Sequence, residues 1–151
     1  MELFSDGGYI SKLNIGGWGV VMIKNNQTYT DMGACRTHSS LEMELLAAVN
    51  ALEIAQTALK PNQSMTLHTD SRILIEGLEG KIERYKQQNW LHLSGRPVES
   101  RNLWERFEKL TQQLNVRVKW IKGHNGNPGN HLADQLARQA IETYLDQLHH
   151  H

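Results

Sequence analysis

The chain has 151 residues, 39% of them hydrophobic and 21% charged, which suits one globular domain able to bury roughly two thirds of its unfolded surface. Sixteen basic residues balance sixteen acidic ones, so a polyanionic partner would have to be held by a local patch rather than by a global field. No apolar run approaches the ~20 residues that cross a bilayer, no secretory leader is read at the start, and the single Cys35 excludes an internal disulfide and a cysteine-built zinc site; a cytoplasmic monomer without a membrane partner is expected.

In chain order, "ELFSDGGY", "WGVVMIK" (Trp18 to Lys24) and "QTYTDMGACR" (Gln27 to Arg36) are β-rich runs joined by Gly and Asn turn signals, which predicts an antiparallel meander. "SSLEMELLAAVNALEIAQTALK" follows as a helix. Ser39 and Ser40 are its candidate N-caps, apolar residues recur at 41, 45, 48, 52, 55 and 59, and Pro61 ends it. "SMTLHTD" reads as a short strand ending in Asp70, and "SRILIEGLEG" as a short helix stopped by Gly80. Residues 81 to 100 mix charge and aromatics without a clean period. "RNLWERFEKLTQQL" is an amphipathic helix, "VRVKWIKG" the last strand, and "NHLADQLARQAIETYL" the last helix, with Asp134 in or near its first turn. The expected fold is α/β of mixed type: five strands, three antiparallel and then two parallel, flanked by helices in one domain over residues 1–148. His149, His150 and His151 are read as the remnant of a purification tag and left out of the fold.

Four carboxylates draw the chemistry together. Asp6 before Gly7 and Gly8 could form an Asp-Gly turn, and Asp70 before a helix could be its N-cap. Glu44 falls about 60° from the centre of its helix's apolar stripe at about 100° per residue, a costly place for an acid without a partner. Asp134 could simply pair with Arg138 one turn on. Mixed open sheets, however, place their sites at the carboxyl ends of strands. Oxygen-only ligands without paired histidines or cysteines suit Mg²⁺ or Mn²⁺, and the reaction that most uses such a cluster is phosphodiester cleavage with two metal ions.

The motifs "FSDGG", "MELLAA", "TDS" and "KGHNGNPGNHLADQLA", in this order, with "LW" at Leu103-Trp104 and "WIKGH" ahead of the loop, resemble type 1 ribonuclease H, the bacterial family that cuts RNA in RNA/DNA hybrids. The resemblance covers essentially the whole chain. It implies the ribonuclease H-like fold, Asp6, Glu44, Asp70 and Asp134 as ligands of two Mg²⁺ ions, and His124 as a mobile histidine assisting proton transfer or product release. It further implies hydrolysis of the RNA strand to 5′-phosphate and 3′-hydroxyl ends. Gly7, Gly8 and the start of the helix carrying Glu44 would meet the 2′-hydroxyls of the RNA strand. "KIERYKQQNWLHLSGRPVESR" corresponds to the family's basic protrusion, with Lys86 and Arg96 around Trp90 facing the DNA strand. Departures fall on the substrate side: Lys12 in the first loop, Ser39 and Ser40 after Arg36 where adjacent Asn residues are common, Arg72 in place of a neutral residue, and Ser100 in place of an Asn. Two other readings stay open, a nuclease of the same fold, such as a resolvase or a reverse-transcriptase-derived domain, and a non-catalytic hybrid-binding module.

Overall fold

The first three β-rich runs form three long antiparallel strands in the computed structural model, which describes residues 1–60, 62–123 and 126–149. They are β1 (Glu2–Ile10), β2 (Ile15–Lys24) and β3 (Gln27–Arg36). Asn25 and Asn26 turn β2 into β3 with φ of 52° and 62°, the paired left-handed conformation of a two-residue hairpin that Asn tolerates. β2 starts at Ile15 rather than at Trp18, because Gly16 and Gly17 pair with Cys35 and Ala34 in the ladder instead of forming a turn.

Helix α1 (Ser40–Ala58) begins where Ser39 Oγ accepts the Glu42 N–H at 3.1 Å, one of the N-caps expected from sequence. Its buried residues, Met43, Leu45, Ala47, Ala48, Val49, Ala51, Leu52 and Ala55, extend well beyond a single stripe. The helix is buried on two sides, under the sheet and under α4 (Arg101–Gln113), so small residues replace part of its expected polar face. Strands β4 (Met65–Thr69) and β5 (Val116–Trp120) run parallel to β1, giving the order β3-β2-β1-β4-β5.

Two further helices, α2 (Arg72–Glu76) and α3 (Ile82–Gln87), are joined by a single π-turn over Gly77–Lys81. Gly80, at φ 149°, breaks the helical geometry but does not stop the segment as expected. Buried Leu74 and Ile82 anchor its two halves, and Gly77 lies against the Trp104 ring, so the chain resumes helix directly after the kink. Helix α5 (Pro128–His149) begins ahead of the expected Asn130, which puts Asp134 in its second turn, near the first as expected. It also runs through His149, so the first of the three terminal histidines continues the helix; His150 and His151 lie outside the described residues.

The sheet separates two cores. Leu3, Val20, Met22 and Leu67 pack with α1 and α4 through Leu45, Leu52, Trp104, Phe107 and Leu110. Phe4 and Val21 pack on the other side against Ala133 of α5. Among the described residues no helix is long and apolar enough to cross a membrane.

Helix α5 rests on bare backbone: a Cβ at Gly19 would lie 2.2 Å from the Ala133 carbonyl oxygen, and backbone cannot yield as a flexible side chain can. Gly19→Ala is expected to lower the unfolding free energy by about 1–3 kcal/mol, read as a shift of the denaturant midpoint at unchanged slope. An unchanged midpoint would show that α5 can lift from β2 at little cost.

Candidate active site

Parallel pairing between β1 and β4 runs from Glu2↔Thr66 to Ser5↔Thr69 and stops there. Asp6 and Asp70 are the next residues on each strand, so two neighbouring strands deliver their carboxylates to one opening. β1 itself continues to Ile10, paired on its other side with β2. Glu44 enters from α1. The helix comes so close that a Cβ on Gly7 would stand 2.6 Å from the Met43 carbonyl carbon, and in this contact the Gly7 N–H donates to Glu44 Oε1 at 2.7 Å. Asp6, Glu44 and Asp70 can each present an oxygen with all three within 4.8 Å of one another. Asp134, from α5, stands outside that trio. Its charge acts on Asp6 and it meets Arg138 Nη2 at 3.2 Å, so the i,i+4 pair anticipated as its ordinary role exists beside its electrostatic tie to the cluster.

The cluster is electrostatically strained. Asp6, only 7% exposed, has its pKa pushed from an ordinary 3.8 up to about 9, first by burial and then by the charges of Glu44, Asp70 and Asp134. Glu44, half-buried, is pushed from 4.5 to about 7 by burial and by Asp70, against the lowering effect of the Gly7 N–H and of Asp6. Like charges at such spacing in a partly dry site hold protons unless a cation replaces them, and three hard oxygen donors with no sulfur or nitrogen match Mg²⁺ or Mn²⁺.

Two features beside Asp70 were not read from the sequence as site residues. The Trp120 Nε1–H donates to the Asp70 carbonyl oxygen at 3.2 Å, and a Cβ on Gly123 would be 2.9 Å from Asp70 Oδ2, so the chain after β5 lies directly on that carboxylate. "WIKGH" carried the signal. Its meaning depends on β5 lying beside β4, which no local pattern reveals. His124 falls outside the described residues.

The remaining candidates come from several elements. Lys12 is exposed in the β1–β2 turn and Arg36 is exposed at the end of β3. Gly8 faces α5, near Ile141 and Ala137. Ser39 caps α1 and its hydroxyl also reaches Glu99 Oε2 at 3.4 Å, which ties the start of α1 to the turn before α4. Ser40 is exposed in the first turn of α1. Ser100, in that turn, has φ 59°, a left-handed conformation that Asn holds more easily than Ser. Lys86 is ion-paired with Glu108. Trp90 is 6% exposed and packs on Tyr85, with Arg101 over its ring, so it is a packing residue of this segment. Arg96 is exposed.

The sequence pattern of the RNase H family matches residues 1–142. The ribonuclease H of Dichelobacter nodosus is 36% identical over 143 residues, covering 95% of this chain and 93% of that protein. Among solved structures, LC9-RNase H1, a type 1 RNase H with the type 2 active-site motif, superposes with a TM-score of 0.76 at 21% identity, over 94% of this chain and 72% of that one. LC11-RNase H1, solved in complex with RNA/DNA hybrid, superposes with a TM-score of 0.69 at 19% identity, over 95% of this chain and 98% of that one. At such identities the structural likeness speaks for the fold, and the sequence matches speak for descent. With its mixed five-strand sheet and its acidic cluster at the carboxyl ends of β1 and β4, this chain belongs to the ribonuclease H family of endoribonucleases.

Proposed function

We propose that this protein hydrolyses the RNA strand of RNA/DNA hybrids, leaving 5′-phosphate and 3′-hydroxyl ends, and that it does so as a cytoplasmic monomer. The observation that carries the reading is the meeting of Asp6, Glu44 and Asp70 within 4.8 Å on a chain of this family. Asp6, Glu44, Asp70 and Asp134 hold divalent cations, Mg²⁺ with Mn²⁺ as a substitute, two of them once hybrid is bound. Such ions supply Lewis-acid activation of water and neutralise charge on the leaving oxygen. The water oxygen bonds to phosphorus as the bond from phosphorus to the 3′-oxygen breaks, which gives the stated ends.

The chain's own groups have distinct parts. The Gly7 N–H fixes one oxygen of Glu44 and leaves the other for the cation. Trp120 fixes the backbone of Asp70. His124 assists proton transfer or product release. Gly7, Gly8, Ser39, Ser40 and Ser100 line the approach of the RNA-bearing groove, where 2′-hydroxyls identify the strand without reading sequence. Lys12, Arg36 and Arg96 offer charge to phosphates, whereas Lys86 shares its charge with Glu108 and contributes less. A non-catalytic hybrid binder is the weaker reading, since an acidic cluster facing phosphates costs affinity unless it holds cations.

Asp70→Asn should abolish cleavage of the hybrid while leaving its binding and the fold in place. His124→Ala should be milder, by roughly 10²- to 10⁴-fold in rate, the usual worth of a general acid or base. Turnover of matched hybrid, duplex RNA and duplex DNA with Mg²⁺ checks both; a binding module would cut none of them with any variant.

Metal-free stability should depend on pH with a definite sign. Between 3.8 and about 9 the native Asp6 keeps a proton that the unfolded chain releases, and Glu44 does the same between 4.5 and about 7. The native state therefore binds more protons and loses stability as pH rises through this window. With chelator present, the thermal midpoint should fall from pH 5 to pH 9, the fall should be smaller in Asp6→Asn, and Mg²⁺ should raise the wild-type midpoint most at the alkaline end. A midpoint in chelator that rises with pH would contradict the assignment.

A further inference from the structure

The indole of Trp120, at the end of β5, holds two things at once. Its Nε1–H donates to the Asp70 carbonyl oxygen at 3.2 Å, and its ring face carries the Arg72 guanidinium, 4.2 Å from the centroid. Only Ser71 separates Asp70 from Arg72, so one indole holds the backbone of a clustered acid and, on its face, the side chain of a permanent cation.

Its surroundings distinguish this cation from those held by carboxylates: it rests on a ring. Lys81, Lys86, Arg101, Arg106 and Arg138 are all engaged with carboxylates, whereas among the described residues Arg72 makes no ion pair. A guanidinium lying flat on a ring keeps its N–H donors at its rim, available for a planar, two-point contact with phosphate. The stack also restrains it. A flexible arginine so near an acidic cluster would be drawn onto the carboxylates and would compete with a cation there; the indole face holds it aside. Arg72 is exposed, so a polyanion can reach it. As plain surface packing, an exposed contact of this type contributes little, and that alone would not require the same indole to hold Asp70.

We propose that Arg72, clamped by Trp120, binds the phosphate of the cleaved strand that adjoins the scissile one, and so sets where that strand lies against Asp6, Glu44 and Asp70. Arg72 is a binding and positioning residue, not a catalytic one. The proposal rests on the hybrid-cleaving reading above, because the carboxylates must engage the scissile phosphate for its neighbour to meet Arg72.

The test uses a strand with a short ribonucleotide run inside DNA, annealed to complementary DNA, so that cutting is confined. One uncharged methylphosphonate is placed in the DNA part flanking the run, on either side in separate substrates. Wild type should lose roughly tenfold in KM on one of them, the size of one charge-assisted contact, with kcat nearly unchanged. Arg72→Ala should show the same loss on the ordinary substrate and no further loss on the neutral one. The slope of hybrid affinity against salt should become shallower by about 1. Arg72→Lys should restore the slope but only part of the KM, since it keeps charge without the planar contact. Thermal midpoints report folding for each variant. Additive losses for Arg72→Ala and the methylphosphonate on both sides would overturn the proposal while leaving the hydrolase reading intact. Failure of wild type to cut the unmodified hybrid would instead remove that reading and this one with it.

Discussion

The approach of α1 to β1 at Gly7 is the contact on which the site depends. With a side chain at that position the helix could not lie where Met43 and Glu44 now stand, 2.6 and 2.7 Å from the place a Cβ would occupy. The missing Cβ lets helix backbone meet strand backbone, and the freed N–H is taken up by Glu44 Oε1. That single hydrogen bond turns a marginal helix position into a defined one. It also explains why the acid is tolerated there: a buried carboxylate needs a donor, and this one is backbone and therefore does not move.

The same geometry sets a cost that the fold carries elsewhere. Asp6 and Glu44 are both driven toward their protonated forms by burial and by neighbouring acids, so the metal-free cluster opposes folding at neutral pH. The two cores offset this. Leu3 and Phe4 occupy successive positions of β1 just before the site and face opposite layers, so the strand carrying Asp6 is clamped from both sides one turn of the pleat away. Sites of this kind are held together by their scaffold until a cation relieves the repulsion.

On the substrate side, charge is arranged more sparingly than the sequence alone conveys. The segment from Lys81 to Arg101 contains several cations, but Lys81, Lys86 and Arg101 are paired with Glu76, Glu108 and Glu105, and Trp90 is turned into the core. The protrusion is thus a packed element with a few unpaired charges at its surface. Exposed pairs of this type add little to stability; their larger effect is to lower the local positive field that a polyanion would meet. Arg72 stands apart from them, fixed by a ring instead of a carboxylate.

Periodicity and turn chemistry made much of the fold legible from the sequence. The β-rich runs of β1 and β3, the Asn25-Asn26 turn and the cap at Ser39 are local devices, and their physics is complete within a few residues. The family's motifs likewise marked Asp6, Glu44 and Asp70 before any geometry was known. Tertiary structure decided what depends on partners distant in the chain. Gly16 and Gly17 read as a turn but belong to a strand, because only the helices packed on them explain their size. Gly80 read as a stop, but buried residues on both sides carry the helical path past it. Trp90 read as the centre of a basic stretch, and only the fold shows that Tyr85 and the core receive it. Trp120 gave no local sign that it would join Asp70 to Arg72, since that role exists only once β5 lies beside β4. A sequence records each residue's chemistry and its nearest neighbours, whereas burial, pairing and pKa are set by groups that only the folded chain brings into contact.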